Sequence, residues 1–389
     1  MSMPTVWLVR PSGATAGTLA YTRLTAVPKY IDVGTWVVDC PLNARNAIAA
    51  EDGVAGWRLA IMDGTEPIMA GPVEGCEILL GDEQGGRTAT IRYSGVDDMV
   101  WLSRRNVRPV PANTLAAQTV GYDVRTGLAS TVLTQYIDVN AGPSARSERR
   151  VAHLTVDPIS TPFGASVTGR GRFQSLLELA QDIGVAGGIG VRVRSDMTAA
   201  RRVQLYEPRD LTGLARFSLS LRNLRRVRWS IAAPEATTIE AGGRGEEDAR
   251  EFISVTDSGE ETSWGRREGF YDFRSASGSD SGAELTAGAN KRLDEAGQTQ
   301  QVEVTPVDTT RMTYGLGYGL GDLVTVDVYG GITMESVIRE VEITVDRSGD
   351  RPTRTVVPRV GDIGTASPNA TTNTVIKRLT GRVSRLERR

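Results

Sequence analysis

Short apolar runs broken by turn residues fill the first hundred positions. Thr5–Val9, Trp36–Val38, Trp57–Met62, Pro67–Ala70 and Gly75–Leu80 read as strands between Gly, Pro and Asp breakers. The turn sequence GDEQGG, Gly81–Gly86, lies between Gly75–Leu80 and Thr88–Tyr93, which predicts a β-hairpin. Pro109 and Pro111 then mark a boundary.

The period changes next. Leu128, Val132 and Tyr136 recur every four residues, predicting a helix. A second helix is expected over Arg172–Gly184, with Phe173, Leu176, Leu177 and Ala180 on one face and Gly184 as its stop. Ile189–Arg194 and Val203–Glu207 read as strands, so this region is a small α/β insertion.

Strand patterns return at Phe217–Leu221, Val227–Ile231, Thr237–Ala241, Phe252–Val255 and Phe270–Phe273, with Gly245–Phe252 expected as a solvated acidic loop. Leu285, Ala289 and Leu293 place a helix over Ser281–Gln298. A strand at Val302–Val307 follows, then the glycine-rich Tyr314–Val328. There Gly315, Gly317, Gly319, Gly321 and Asp322 are expected to turn the chain into a strand at Leu323–Val328, paired with a second at Ile332–Val345, closing a β-barrel. Residues 361–374 have linker composition. Ile376, Leu379, Val383 and Leu386 are spaced three, four and three apart, the seam of a short coiled coil. Two heptads are too short to hold alone, so this helix is expected to grip copies of itself or a partner, with a frayed basic surface helix as the alternative.

The expected fold is thus mainly β with an α/β insertion. Its divisions are a β unit at 1–104, the insertion at 105–215, and a β domain at 216–280 contributing to the barrel that Tyr314–Val328 closes. A helix and strands closing that barrel at 281–360, the linker at 361–374 and the helix at 375–389 complete the chain.

Composition sharpens this picture. At 389 residues the chain exceeds one ordinary core, and 43 glycines suit a turn-rich β protein. A formal net charge of −2 argues against general attraction to nucleic acid. Only Lys29, Lys291 and Lys377 among the 45 basic residues are lysines, the bias of a GC-rich genome. Cys40 and Cys76 form no metal-binding pattern and read as buried apolar residues, with a disulfide as the lesser alternative. No apolar run reaches the ~20 residues of a membrane helix, and no stable membrane insertion is expected. The first residues lack a signal-peptide pattern, so synthesis and assembly in a cytoplasm are expected.

Catalytic chemistry finds little support. The sole histidine, His153, has no nucleophile elbow and no companion His or Cys nearby. The acid pairs Asp97–Asp98, Glu246–Glu247 and Glu260–Glu261 read as solvated loop residues. The glycines before Leu323 precede a strand, so they do not form a phosphate loop. No catalytic residue, cofactor site or metal site is expected. Arg222, Arg225, Arg226 and Arg228 form the one strongly basic patch. It either pairs with the acidic 245–261 segment, or faces a neighbouring subunit or a channel.

The serial order of GRGRFQSLLELAQDIG (Gly169–Gly184), VQLYEPRDLT (Val203–Thr212), FSLSLRNL (Phe217–Leu224), AGGRGEEDAR (Ala241–Arg250), WGRREGFYD (Trp264–Asp272) and YGLGDLVTV resembles siphophage tail-hub proteins, found especially in phages of actinobacteria. The resemblance spans roughly residues 5–360. It implies a structural protein of the virion tail tip, a homotrimer in which each subunit contributes two tube-like β-barrels, the 1–104 unit and one drawn from about 225–360, to a pseudo-sixfold ring. It also implies partners: a distal tail protein or tail-tube ring above, fibre, spike or receptor-binding components below, the tape measure protein, and transiently passing DNA. Two other readings stand beside it. One is a tail-associated cell-wall hydrolase. The other is a carbohydrate-binding adhesin using Trp57, Trp101 or Trp264.

Overall fold

Alternation along the strands sets the main sheet. Trp36, Val38 and Cys40 are buried on one face of their strand, and Ile91 and Tyr93 meet them from the next. The computed structural model describes residues 3–48, 53–83, 86–245, 250–273, 281–306, 312–329 and 332–361. The coiled-coil seam Ile376, Leu379, Val383 and Leu386 and nearly all of the linker lie outside these residues, as do Glu246 and Glu247.

The described residues separate into two compact units, one within 1–228 and 303–360 and the other within 229–302. The first begins with β1 (Thr5–Val9), β2 (Thr15–Leu19), β3 (Arg23–Val27), β4 (Thr35–Pro41), β5 (Arg58–Asp63), β6 (Glu66–Glu83), β7 (Gly86–Val96) and the short α1 (Val100–Ser103). The expected hairpin is β6 with β7, antiparallel and in register from Cys76–Tyr93 to Glu83–Gly86. Pro67–Ala70 and Gly75–Leu80 belong to one long strand, with register shifts between Pro67 and Met69 against β5 and between Val73 and Gly75 against β7.

The insertion holds β8 (Asp123–Leu128), α2 (Ala129–Asn140), β9 (Leu154–Val156), β10 (Ser166–Gly171), α3 (Leu176–Gly187), β11 (Gly190–Arg194) and β12 (Arg201–Tyr206). Val132, Tyr136, Leu176, Ile183, Val191 and Val203 share its core. A capping box opens α3: Ser175 Oγ accepts the Leu177 N–H at 3.2 Å, and the Ser175 N–H is accepted by Glu178 at 3.2 Å. The helix passes the expected stop at Gly184 and ends at Gly188, whose φ of 65° is left-handed.

The chain continues through β13 (Arg216–Phe217) and β14 (Leu224–Ala232) into the second unit. There β15 (Thr238–Gly242), β16 (Phe252–Thr256), α4 (Ser258–Trp264), β17 (Glu268–Asp272) and α5 (Ser281–Ala296) follow. β15 is the centre of a three-stranded sheet, antiparallel to β16 and parallel to β17. Leu285, Ala289 and Leu293 of α5 bury against Ile239 and Ala241 of that sheet, with Ile253, Val255 and Tyr271 alongside. The helix spacing read from the sequence is therefore correct, but its partner is this sheet.

β18 (Thr299–Pro306) returns the chain to the first unit, which closes with β19 (Leu323–Tyr329), β20 (Ile332–Asp346) and β21 (Thr353–Gly361). β20 pairs with β3 in register from Ile343–Ala26 to Asp346–Arg23, so the last strands and the first share one sheet. Its path runs β14-β18-β21-β20-β3-β4-β7-β6-β5-β1-β2, with β19 joined to β20 and β13 to β19. This path is open. The two closed barrels expected from the sequence are not formed among the described residues, and β15–β17 form a sheet of their own.

Candidate functional site

The glycine-rich segment is a docking turn. Tyr314 and Tyr318 form a bridge, closed by the Gly315 N–H donating to Tyr318 O at 2.9 Å, while the Gly317 N–H donates to Thr313 O at 2.7 Å. Gly315 and Gly321 both take φ of 87°, a conformation that favours glycine. The Gly321 N–H donates to Ile338 O at 2.8 Å, and the Ile338 N–H returns to Asp322 O at 3.0 Å, setting the register of β19 on β20.

Asp322 locks the turn. Its buried carboxylate accepts the Gly319 N–H at 2.8 Å, the Arg209 N–H at 2.9 Å and Arg209 Nε at 3.1 Å. Leu323 and Leu211 extend the link, since the Leu323 N–H donates to Arg209 O at 3.0 Å and the Leu211 N–H to Leu323 O at 2.9 Å. Aromatic rings fill the space around it. Tyr30 lies against Gly321. Tyr206 donates its hydroxyl to Leu320 O at 3.0 Å, and Arg192 sits 4.9 Å above the Tyr206 ring. Burial pushes the Tyr30 phenol up to about 12 and raises that of Tyr206 further, so both stay neutral and serve packing. The structure thus brings Gly315, Gly317, Gly319, Gly321 and Asp322 together, at a junction with the insertion. Tyr30, Tyr206 and Arg209 escaped the sequence reading because their partners are more than a hundred residues away.

The second expected cluster is displayed. Arg222, Arg225, Arg226 and Arg228 are all exposed, and none pairs with a carboxylate among the described residues. A turn presents them: Asn223 accepts the Ser218 N–H at 2.9 Å and donates to Arg216 O at 2.6 Å, holding Arg222 at a φ of 57°. Along β14 only Leu224 is buried and Val227 half-buried, and Trp229 and Ile231 share the exposed row.

The acid pairs behave differently from expectation. Asp97 and Asp98 are buried. Asp98 accepts from Arg58, from Arg201 Nε at 3.1 Å, from Ser195 Oγ at 2.6 Å and from Trp101 Nε1 at 3.0 Å. Glu260 accepts the Gln298 N–H at 2.7 Å, and Glu261 pairs with Arg266 at 3.2 Å. These carboxylates build structure. His153 is exposed at a φ of 59°, and no group of His, Cys, Asp or Glu suited to a metal occurs among the described residues. Cys40 is buried as expected, Cys76 is exposed, and both thiols are free.

Among the described residues, no cation pairs with Asp97. Burial holds its carboxyl well above the usual carboxylate range, with Asp98 and Asp32 adding to the rise, although it accepts the Met99 N–H at 3.1 Å. A raised folded-state value means the native state binds this proton more tightly than the unfolded chain. Its contribution is fully present below the unfolded value of about 3.9 and is lost as pH rises through the folded one. Asp97→Asn should abolish this component. Urea melts of both proteins should show the wild type losing stability relative to the variant as pH rises from about 4 toward neutrality. A difference independent of pH would contradict the assignment.

The fold is that of phage tail proteins. A 43 kDa tail protein of prophage MuSo2 from Shewanella oneidensis is similar, with a TM-score of 0.57 and 13% identity over 92% of this chain and 98% of that one. A tail protein from Neisseria meningitidis MC58 gives a TM-score of 0.52 and 13% identity over 93% and 97%. More specifically, residues 7–362 match the model of the siphovirus ReqiPepy6 Gp37-like proteins, and the chain belongs to that family. No curated protein matches it. The expected kinship with a siphophage protein family is therefore correct.

Proposed function

We propose that this chain is the tail-tip hub subunit of a long, non-contractile phage tail. Three copies form a pseudo-sixfold ring that caps the tail tube. The ring meets a distal tail protein or tube ring above and threefold fibre or spike components below, and leaves a channel for the tape measure and DNA. Its role is structural, without turnover of a substrate. Family membership over residues 7–362 is the observation that carries this reading.

β14 supplies a surface suited to it. This nine-residue strand ends the sheet path, so among the described residues one edge has no strand beside it, and Trp229 and Ile231 lie exposed in a row. An apolar, unpaired edge is unstable in isolation and is satisfied by a neighbouring chain. Closure of the tube-like barrels belongs to the assembled ring in this proposal, and the arginine row of β14 faces the neighbouring subunit or the channel. The C-terminal seam Ile376, Leu379, Val383 and Leu386 would hold the threefold partner.

Light scattering and electron microscopy, with and without the adjacent tail proteins, test this. Trimers or rings are expected, and Trp229→Glu should dissociate them while leaving thermal stability within about 0.5 kcal/mol, as for surface substitutions. Compact monomers under every condition would overturn the proposal. Clearing of host cell walls in a zymogram would instead favour the hydrolase reading.

A further inference from the structure

The small sheet of the second unit has one face covered and one open. Ile239, Ala241, Ile253, Val255 and Tyr271 turn toward α5. The opposite face carries the alternate residues, among them Phe252, Ser254, Glu240 and Phe270, all exposed. Phe252 is 60% exposed and Phe270 59%, an unusual pair on a face that alternation reserves for polar groups.

These rings are held. The Arg250 guanidinium carbon lies 5.4 Å from the Phe252 ring and 5.8 Å from the Phe270 ring, bridging them. Arg250 is itself anchored, donating Nη2 to Gly242 O at 2.9 Å and to Asp272 Oδ1 at 2.5 Å, and Nε to Gly243 O at 3.2 Å. Its side chain is only 10% exposed. Gly242 leaves the room it needs, because a Cβ there would stand 2.5 Å from Arg250 Nη2. The result is two aromatic surfaces with little freedom left to lose on binding.

Glu240 sits beside them. It faces Phe270 on one neighbouring strand and Ser254 on the other. β16 and β17 lie two strand spacings apart, about 10 Å, the length scale of a disaccharide.

We propose that this face binds a linear polysaccharide of uncharged or amine-bearing sugars. Pyranose rings present a C–H face to an aromatic ring, and their paired hydroxyls suit a carboxylate acceptor such as Glu240 with the Ser254 hydroxyl beside it. With Asp272 paired to the Arg250 guanidinium, Glu240 leaves the face net negative, which disfavours nucleic acid and anionic glycans. The site is independent of the ring-forming strand β14, so its failure leaves the hub proposal standing.

Affinity electrophoresis of the full chain through gels containing glucan, galactan, mannan or glycol chitosan tests it, with heparin as the anionic control. Retardation by at least one of the first four is expected, and none by heparin. Phe252→Ala and Phe270→Ala should each weaken it about tenfold, the scale of a stacked ring contact. Glu240→Gln should weaken it as well, most for glycol chitosan. Circular dichroism melts confirm that the variants fold. No retardation by any of these glycans, or retardation unchanged in both Phe variants, would overturn the proposal. So would variants that bind normally but lose self-association in light scattering, since the face would then be a contact between copies.

Discussion

Replacing Gly321 by Val is expected to lower stability by about 2–6 kcal/mol and, in the proposed hub, to abolish ring assembly. Two costs combine. A φ of 87° strains any residue with a Cβ, and a β-branched one most. The added carbon would also run into the Tyr30 ring, which is packed against the insertion and donates its hydroxyl to Ile189 O at 3.3 Å. Gly315 is the internal control. It has the same φ of 87°, yet a Cβ there meets nothing within 4 Å. Gly315→Ala should therefore show the backbone cost alone, about 1–3 kcal/mol. Guanidinium melts of both variants decide the matter. Equal losses would remove Tyr30 from the account, and a ring that assembles fully from the Gly321 variant would remove the turn from assembly.

The second large effect belongs to Asp98. Asp98→Ala should cost about 3–5 kcal/mol, because it leaves Arg58 and Arg201 buried without their common counter-charge. Arg58 lies on β5 and Arg201 on β12, so the carboxylate ties the first strands to the insertion. A double-mutant cycle with Arg58→Ala isolates the pair. A coupling of about 0.5–3 kcal/mol is expected, whereas additivity within about 0.5 kcal/mol would show that Asp98 acts through Ser195 and Trp101 instead.

Long periodic elements were legible because their signal is local. The spacing of Leu285, Ala289 and Leu293 identified α5, and all three are buried. The turn at Gly81–Gly86 identified the β6–β7 hairpin. β2, with the sequence TAGTL, and β8, with DVRTGL, escaped notice because they lack a clear apolar alternation. Phe217–Leu221 read as a strand, but only Arg216–Phe217 pairs, since Asn223 turns the following residues away. Asp97 and Asp98 looked like solvated loop acids because adjacent carboxylates usually are. The burial of Asp98 depends on Arg58 and Arg201, 40 and 103 positions away.

The sequence by itself determined the mainly β character, the α/β insertion and the glycine-rich turn before β19. Each is written in short-range periodicity or in a residue's own conformational limits. Only the tertiary structure decided what those elements touch. α5 could have covered any apolar surface, and it covers β15–β17. The turn at Gly321 could have closed a barrel within the chain. Instead it seats Asp322 on Arg209 and Tyr30 on Gly321, while the sheet remains an open path among the described residues. Partner choice over such separations follows from burial and charge in three dimensions, which spacing along the chain does not record.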